Sequence, residues 1–284
     1  MIARNSLATD EVGQVLALVA AATEVDGVRP LSEHTMLALR AGRPGVLAMA
    51  TGKITGYAYH DQGSAELVVH PEQRGRGHGR ALVAALRAAA GERLRVWAHG
   101  DLPAAAGLAA ALGWSRLRSL WQLRRPLAAT LPDAPPPPGV RIRTFAAGRD
   151  EAAWLAVNRR AFATHPEQGR WTLDDLLMRE REPWFDPAGF FLAERAGSLV
   201  GFHWTKVHED GLGEVYVVGV DPEARGLGLG RVLTIVGLNH LRTRGLSTAM
   251  LYVDEDNVPA VNLYESLGFR HWTTDVMYGA YAGE

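Results

Sequence analysis

The chain has 284 residues, 47% hydrophobic and 21% charged, with thirty Lys and Arg against thirty-one Asp and Glu, for a formal net charge of −1. That balance excludes wholesale disorder, gives no global basic excess of the kind that marks a nucleic-acid binder, and at this length predicts two domains of ordinary size. Cysteine is absent, which excludes disulfides, thiolate metal sites and a cysteine nucleophile.

The most apolar early run is Val15 to Ala22. It is far shorter than the roughly 20 residues of a membrane span. Asp10 and Glu11 precede it, where an export signal carries positive charge. It reads as an amphipathic first helix, and the protein as cytoplasmic with no membrane or nucleic-acid partner. Gly52 to Gly56 is a hairpin turn between strand-like runs, and Leu67-Val68-Val69 is a strand. Next comes His70-Pro71-Glu72-Gln73-Arg74-Gly75-Arg76-Gly77-His78-Gly79-Arg80, then a helical pattern over Ala81 to Ala90, then Leu112-Gly113-Trp114.

Pro126 to Gly139 holds four consecutive prolines, Pro135 to Pro138, and predicts a stiff spacer. The boundaries follow: a domain over 1–128, a linker over 129–139 and a second domain over 140–284. The second half predicts a strand over Val140 to Thr144, a helix over Ala152 to Ala163, a hairpin of Phe190 to Glu194 with Val200 to His208, and a central strand from Glu214 to Val220. Asp221-Pro222-Glu223-Ala224-Arg225-Gly226-Leu227-Gly228-Leu229-Gly230-Arg231 follows, then a helix over Val232 to Arg242, a strand over Thr248 to Val253, a helix over Pro259 to Leu267 and a last strand over His271 to Tyr278. Hairpin turn, β-branched run, glycine turn and Leu-Gly-aromatic recur in the same order in both halves, so the domain is duplicated.

A glycine-rich strand-to-helix turn lets a ligand reach the backbone, and the free first amides of the helix favour a pyrophosphate. No Gly-Lys-Ser/Thr follows, so this is not a Walker loop. The turn comes after a hairpin rather than in an opening βαβ unit, which fits a dinucleotide fold poorly. The histidines show no metal-ligand spacing, so no metal is expected, and no Gly-x-Ser-x-Gly is present.

The pattern Arg/Gln-x-x-Gly-x-Gly/Ala, carried by Arg74, Gly77 and Gly79 and again by Arg225, Gly228 and Gly230, resembles the signature of the GNAT superfamily of acyl-CoA-dependent N-acyltransferases. Asn257, Ala260 and Tyr264 before Leu267-Gly268-Phe269 resemble its late segment. Ala161 to Gly169, Gly201 to Lys206, Glu214 to Pro222, Leu251 to Val253, Asn257 to Tyr264, Val25 to Gly27 and Pro30 to Glu33 further resemble the mycothiol synthase family of tandem GNAT enzymes. The resemblance implies an α/β (α+β) fold of two tandem GNAT domains, each a mixed, mostly antiparallel central sheet flanked by helices. It implies acetyl-CoA as co-substrate and acetylation of the cysteinyl amine of cysteinyl-glucosamine-inositol; a monomer is expected, with nothing in the sequence that reads oligomeric state.

The same resemblance implies roles. Glu214 is the base that frees the amine, and Tyr264 is the acid that protonates the departing sulfur. Val218, Gly219 and Val220 hold the pantetheine arm. Arg225, Gly226, Leu227, Gly228, Leu229, Gly230 and Arg231 hold the pyrophosphate, with Asn257, Pro259, Ala260 and Asn262 beside them. Leu67, Val68, Val69, Gly75, Arg76, Gly77, His78, Gly79 and Arg80 are the first-half counterparts. Glu33, Glu167, Lys206, Glu214 and Tyr252 are substrate-contact candidates, each with a surface position as the other reading. For Tyr264 the other reading is a core aromatic, and for Glu214 a solvated strand end.

Spacing separates the halves. Glu214 lies seven residues before Asp221, but the residue seven before His70 is Gly63; Tyr264 lies three before Leu267, but Ala109 lies three before Leu112. The first half keeps the phosphate turn without either ionisable group, so catalysis is expected in the second half. The first half then either binds acetyl-CoA or only supports the fold. Two alternatives remain: a tandem enzyme for another small amine, such as an aminoglycoside, polyamine or protein N-terminus, and a non-catalytic acetyl-CoA-binding regulatory module.

Overall fold

The computed structural model describes residues 1–280 apart from positions 51, 62, 92, 166 and 167. The chain divides into two compact units. The first comprises Met1–Trp121, Asp254–Asp256 and the segment from Thr273; the second comprises Gln122–Val253 and Asn257–Trp272. Among the described residues no helix is long and apolar enough to cross a membrane.

The first unit contains β1 (Ile2–Arg4), α1 (Thr9–Asp26), α2 (Glu33–Arg40), β2 (Gly45–Ala50), β3 (Lys53–Asp61), β4 (Ser64–Val69), α3 (His78–Ala90), β5 (Arg95–Ala98) and α4 (Pro103–Ala111). Strands β1 to β4 run antiparallel in sequence order, and β5 joins β4 in parallel. Alternation along the strands gives the sheet two buried faces. Leu47 and Tyr57 pack under Val15, Leu18 and Val19 of α1, while their neighbours Ala48 and Ala58 pack under Leu82, Val83 and Leu86 of α3. Each fully buried aliphatic side chain contributes roughly 1.5–3 kcal/mol. Helix α1 starts where the Ala8 N–H donates to Glu11 and the acidic first turn meets the helix dipole. Helix α2 starts at Ser32, whose hydroxyl accepts from the Thr35 N–H.

The remaining edge of β5 pairs with the far end of the chain. Val276–Gly279 of the last strand, β12 (Arg270–Gly279), runs antiparallel to Arg95–Ala98. The compact units therefore do not coincide with the sequence halves: residues from 273 onward belong with the first. The boundary near the linker also falls earlier, inside β6 (Ser115–Pro126), between Trp121 and Gln122.

The second unit contains β7 (Val140–Thr144), α5 (Glu151–Ala161), α6 (Leu173–Glu180), β8 (Phe190–Arg195), β9 (Ser198–Val207), β10 (Gly213–Val220), α7 (Leu229–Thr243), β11 (Thr248–Asp254) and α8 (Val258–Ser266). Strands β7 to β10 are antiparallel in sequence order and β11 joins β10 in parallel. An aromatic cluster fills one face. Phe190 and Trp204 are cross-strand partners whose rings stack at 4.5 Å, with Trp154 of α5 edge-on to both. On the other face Leu229 and Leu233 of α7 pack on Ala193, Val200 and Val218. The first part of the proline-rich stretch is anchored rather than free. Leu127 is fully buried, its N–H donates to the Ser247 carbonyl at 2.8 Å, and the buried Arg125 guanidinium donates to the Leu267 and Ala129 carbonyls.

Candidate acyl-transfer site

In the second unit, β10 and β11 pair only at Gly213↔Ala249 and Glu214↔Met250 among the described residues, although β10 continues to Val220. The strands thus part immediately after Glu214. Strand β9 still pairs with β10 as far as Val220, and a register shift between Val215 and Val217 marks a bulge at Tyr216, which bends β10 where the parting begins. Backbone groups of Val218, Gly219 and Val220 on the β11 side are left for another extended partner.

The chain leaves β10 through Asp221, which accepts from the Glu223 N–H and pairs with Arg160 at 2.7 Å. Gly228, at φ +71°, is the N-cap of α7, and a Cβ there would meet open space. Its left-handed backbone starts α7 at Leu229, three residues before the sequence pattern predicts it. The first α7 amides lack intrahelical partners. Arg225, Gly226 and Leu227 are exposed on the turn, and Arg231 donates to the Ser266 hydroxyl. Asn257 caps α8, its carboxamide oxygen accepting from the Ala260 N–H; Pro259 and Asn262 are exposed on that helix. The open strand pair, the free amides and the uncrowded glycine turn fit a pantetheine arm and pyrophosphate.

Glu214 is only 6% exposed, and its carboxylate lies 2.7 Å from His208 Nε2. Its cross-strand partner is Lys206, whose ammonium sits 4.4 Å over the Trp184 ring and 5.3 Å from that of Tyr216. Arg179 stacks on Trp171 at 4.0 Å and donates to the Tyr216 hydroxyl. Tyr264 is buried against Phe269, and burial raises its phenol well above the ordinary tyrosine value, so it keeps its proton. Tyr252 is 41% exposed, its hydroxyl accepting from Gln122. Glu33 is half-buried in the first turn of α2, in the first unit. Glu167 lies outside the described residues.

The first unit repeats the parting. Strand β5 pairs with β4 at Ser64, Ala65 and Glu66 while β4 runs on through Leu67, Val68 and Val69. A cavity of about 370 Å³ opens there, walled by these three residues, Trp97 and Trp114, and rimmed by the turn of Gly75, Gly77, His78, Gly79 and Arg80. Arg76 of that turn is exposed and donates to Gln73. Gly77 has φ +84° with open space at its Cβ, matching Gly228. Arg74 is engaged bidentately by Asp26 at 2.7 Å. Gly63 occupies the β3–β4 turn, and Ala109 is a core residue.

The cavity wall also holds His99, whose Nδ1 lies 2.7 Å from Asp275 and whose Nε2 lies 3.5 Å from Glu66, an ion-pair rather than hydrogen-bond distance. Burial opposes its charge, but the two carboxylates outweigh it and hold the imidazole up to about 10. Glu66 further accepts from the Ser32 N–H and Asp275 from the Gly100 N–H. Neither this cluster nor His208 nor the Trp184 support of Lys206 is signalled by local sequence pattern.

Parted parallel strands ending in a glycine turn and a helix N-terminus, twice in one chain, define a tandem N-acyltransferase of the GNAT class. Comparisons agree: residues 154–269 match the "Acetyltransferase (GNAT) family" and residues 33–116 the "Acetyltransferase (GNAT) domain". A tandem GNAT protein from the clavulanic acid biosynthesis pathway shares the fold, with a TM-score of 0.72 at 24% identity, covering 100% of this chain and 99% of that one. Mycothiol acetyltransferase of Thermomonospora curvata is 62% identical, covering 98% of this chain and 96% of its own. That of Thermobispora bispora is 63% identical, covering 93% and 94%. The chain belongs to the mycothiol acetyltransferase family of GNAT enzymes.

Proposed function

We propose that the second unit transfers the acetyl group of acetyl-CoA to the cysteinyl amine of cysteinyl-glucosamine-inositol, giving mycothiol and CoA. The observation that carries this reading is the buried Glu214 carboxylate where β10 and β11 part; the first unit has Gly63 at the same offset before its glycine turn, and the carboxylate at its own parting, Glu66, is engaged by His99 and the Ser32 N–H. At neutral pH the amine arrives as ammonium. Glu214, through a water, takes one of its protons, and the free amine attacks the thioester carbonyl. A backbone N–H near Val218 steadies the oxyanion. Tyr264, which burial keeps protonated, donates to the leaving sulfur. A positioned base and acid are each worth roughly 10²–10⁴-fold.

The buried ammonium of Lys206, the hydroxyl of Tyr252 and the carboxylate of Glu167, all in the second unit, are the groups we assign to the polyol and amine; for Glu33, in the first unit, a substrate contact is what the family resemblance implies. A polyol needs charged and hydroxyl partners, and these supply both. We assign the first unit a second acetyl-CoA site without turnover. Its cavity and turn support binding; Ala109 in the place of Tyr264, and the engagement of Glu66 by His99 and the Ser32 N–H, support the lack of chemistry. The protein acts as a cytoplasmic monomer.

The test offers purified protein acetyl-CoA with cysteinyl-glucosamine-inositol in one arm and unrelated amines in the other, reading free CoA. Turnover confined to the first arm and lost in Glu214→Ala is expected. Turnover only with other amines overturns the substrate assignment.

A further inference from the structure

We infer that His208 is the proton exit of the active site, a relay and positioning residue acting through Glu214. This rests on the reading of Glu214 as the base. The stoichiometry demands such a route. An ammonium and a thioester give an amide, a thiol and one proton: the N–C bond forms, the C–S bond breaks with its electron pair on sulfur, and nitrogen loses two protons. One proton ends on sulfur by way of Tyr264, whose phenolate recovers it from nitrogen. The other, taken by Glu214, must reach solvent before the next turnover.

Glu214 is poorly placed to release it directly, with its side chain only 8% exposed. Among the described residues His208 is the one side chain that hydrogen-bonds to it. Lys206, across the strand pair, holds its ammonium against Trp184 and Tyr216, and an ammonium has no lone pair to accept a proton. His208 keeps 24% of its side chain exposed and stands at the outer end of the β9–β10 hairpin, next to the exposed Glu209 and Asp210.

Backbone bonds fix that position. The His208 N–H donates to the Leu212 carbonyl at 2.9 Å, and the Gly211 N–H donates back to the His208 carbonyl at 3.0 Å. The ring is thereby held with Nε2 on the carboxylate. Once Glu214 is protonated the ring exchanges tautomer with solvent to free Nε2, Nε2 accepts the carboxyl proton, and Nδ1–H gives one to water, which leaves the ring as the Nε2–H tautomer. While Glu214 is ionised, the Nε2–H tautomer donates to it and fixes its orientation.

Three variants of the full chain separate relay from scaffold: His208→Gln, His208→Ala and Glu214→Gln. Gln keeps an N–H donor for Glu214 but cannot pass a proton on. The expected result is a fall in kcat of about tenfold or more in both His208 variants, with KM for acetyl-CoA within twofold of the parent. Added imidazole restores kcat in His208→Ala in proportion to its concentration and leaves Glu214→Gln inactive. Wild-type kcat in His208→Gln overturns the inference, as does a loss in His208→Ala that imidazole does not move. If Glu214→Gln itself turns over normally, the base assignment falls and takes this inference with it. An inactive Glu214→Gln beside an unimpaired His208→Gln overturns the relay alone.

Discussion

His99 and Asp275 lie 176 positions apart in sequence and 2.7 Å apart in space. With Glu66 on its other nitrogen, the imidazole of His99 is held charged at pH values where a free histidine is neutral. The native value, about 10, lies above the unfolded value of 6.5, so the cluster's stabilisation is full below pH 6.5 and is lost as pH rises towards 10. Urea unfolding followed from pH 6 to 10 should show falling stability in the parent and a flatter profile in His99→Gln. Asp275→Asn at pH 7 should cost about 1.5–3 kcal/mol, because it removes the hydrogen-bonded carboxylate and leaves the imidazolium with Glu66 alone.

His203 should set the acid limit. It is fully buried between β9 and α7, donating from Nδ1 to the Leu233 carbonyl, and burial pushes its imidazole down to about 4. The unfolded chain therefore binds a proton that the folded chain refuses, and stability falls as pH drops from 6.5 towards 4. His203→Gln should remove that slope. The same packing makes Gly237 irreplaceable: a Cβ there would stand 2.0 Å from the His203 ring. Gly237→Ala should lower stability by about 1–3 kcal/mol, read as a drop in Tm.

Tyr264→Phe should divide chemistry from packing. The ring stays against Phe269 and the fold should hold within about 1 kcal/mol, while kcat falls by about 10²-fold or more with little change in KM.

Gly228 and Gly77 give a matched pair. Each has a left-handed backbone with open space where a side chain would begin. Alanine at Gly228 strains the turn by about 1–2 kcal/mol and puts a methyl group where we place the pyrophosphate, so KM for acetyl-CoA should rise at least tenfold. Alanine at Gly77 should leave turnover intact. Titration calorimetry with CoA should count two sites in the parent and one in either variant.

Local pattern exposes one layer of this molecule and hides another. Both glycine turns, the strands before them and the position of Glu214 are legible because each depends on a few neighbouring residues and recurs in register. The ends of α3 and α7 are not, because the left-handed glycines start each helix three residues before the apolar period begins. His208 reads as an ordinary end of a hairpin strand; only the closed turn after it brings the ring onto Glu214. Arg125, just before the proline-rich stretch, is buried on two backbone carbonyls that no local pattern signals. Asp275 carries no sign of a partner in the first half, since pairing across that distance is decided by sheet register and not by spacing.

The pairing of Val276–Gly279 with Arg95–Ala98 also orders events during synthesis. The ribosome makes β5 early, and its partner emerges only after the strands and helices of the second unit. Until then the nascent first unit carries an open sheet edge at Val96 and Trp97, the kind of edge that recruits other chains. A chain cut after residue 128 would carry that edge permanently and would lack the Asp275 counter-charge of His99, so the first unit should aggregate when made alone and recover solubility when a peptide of residues 270–280 is supplied with it.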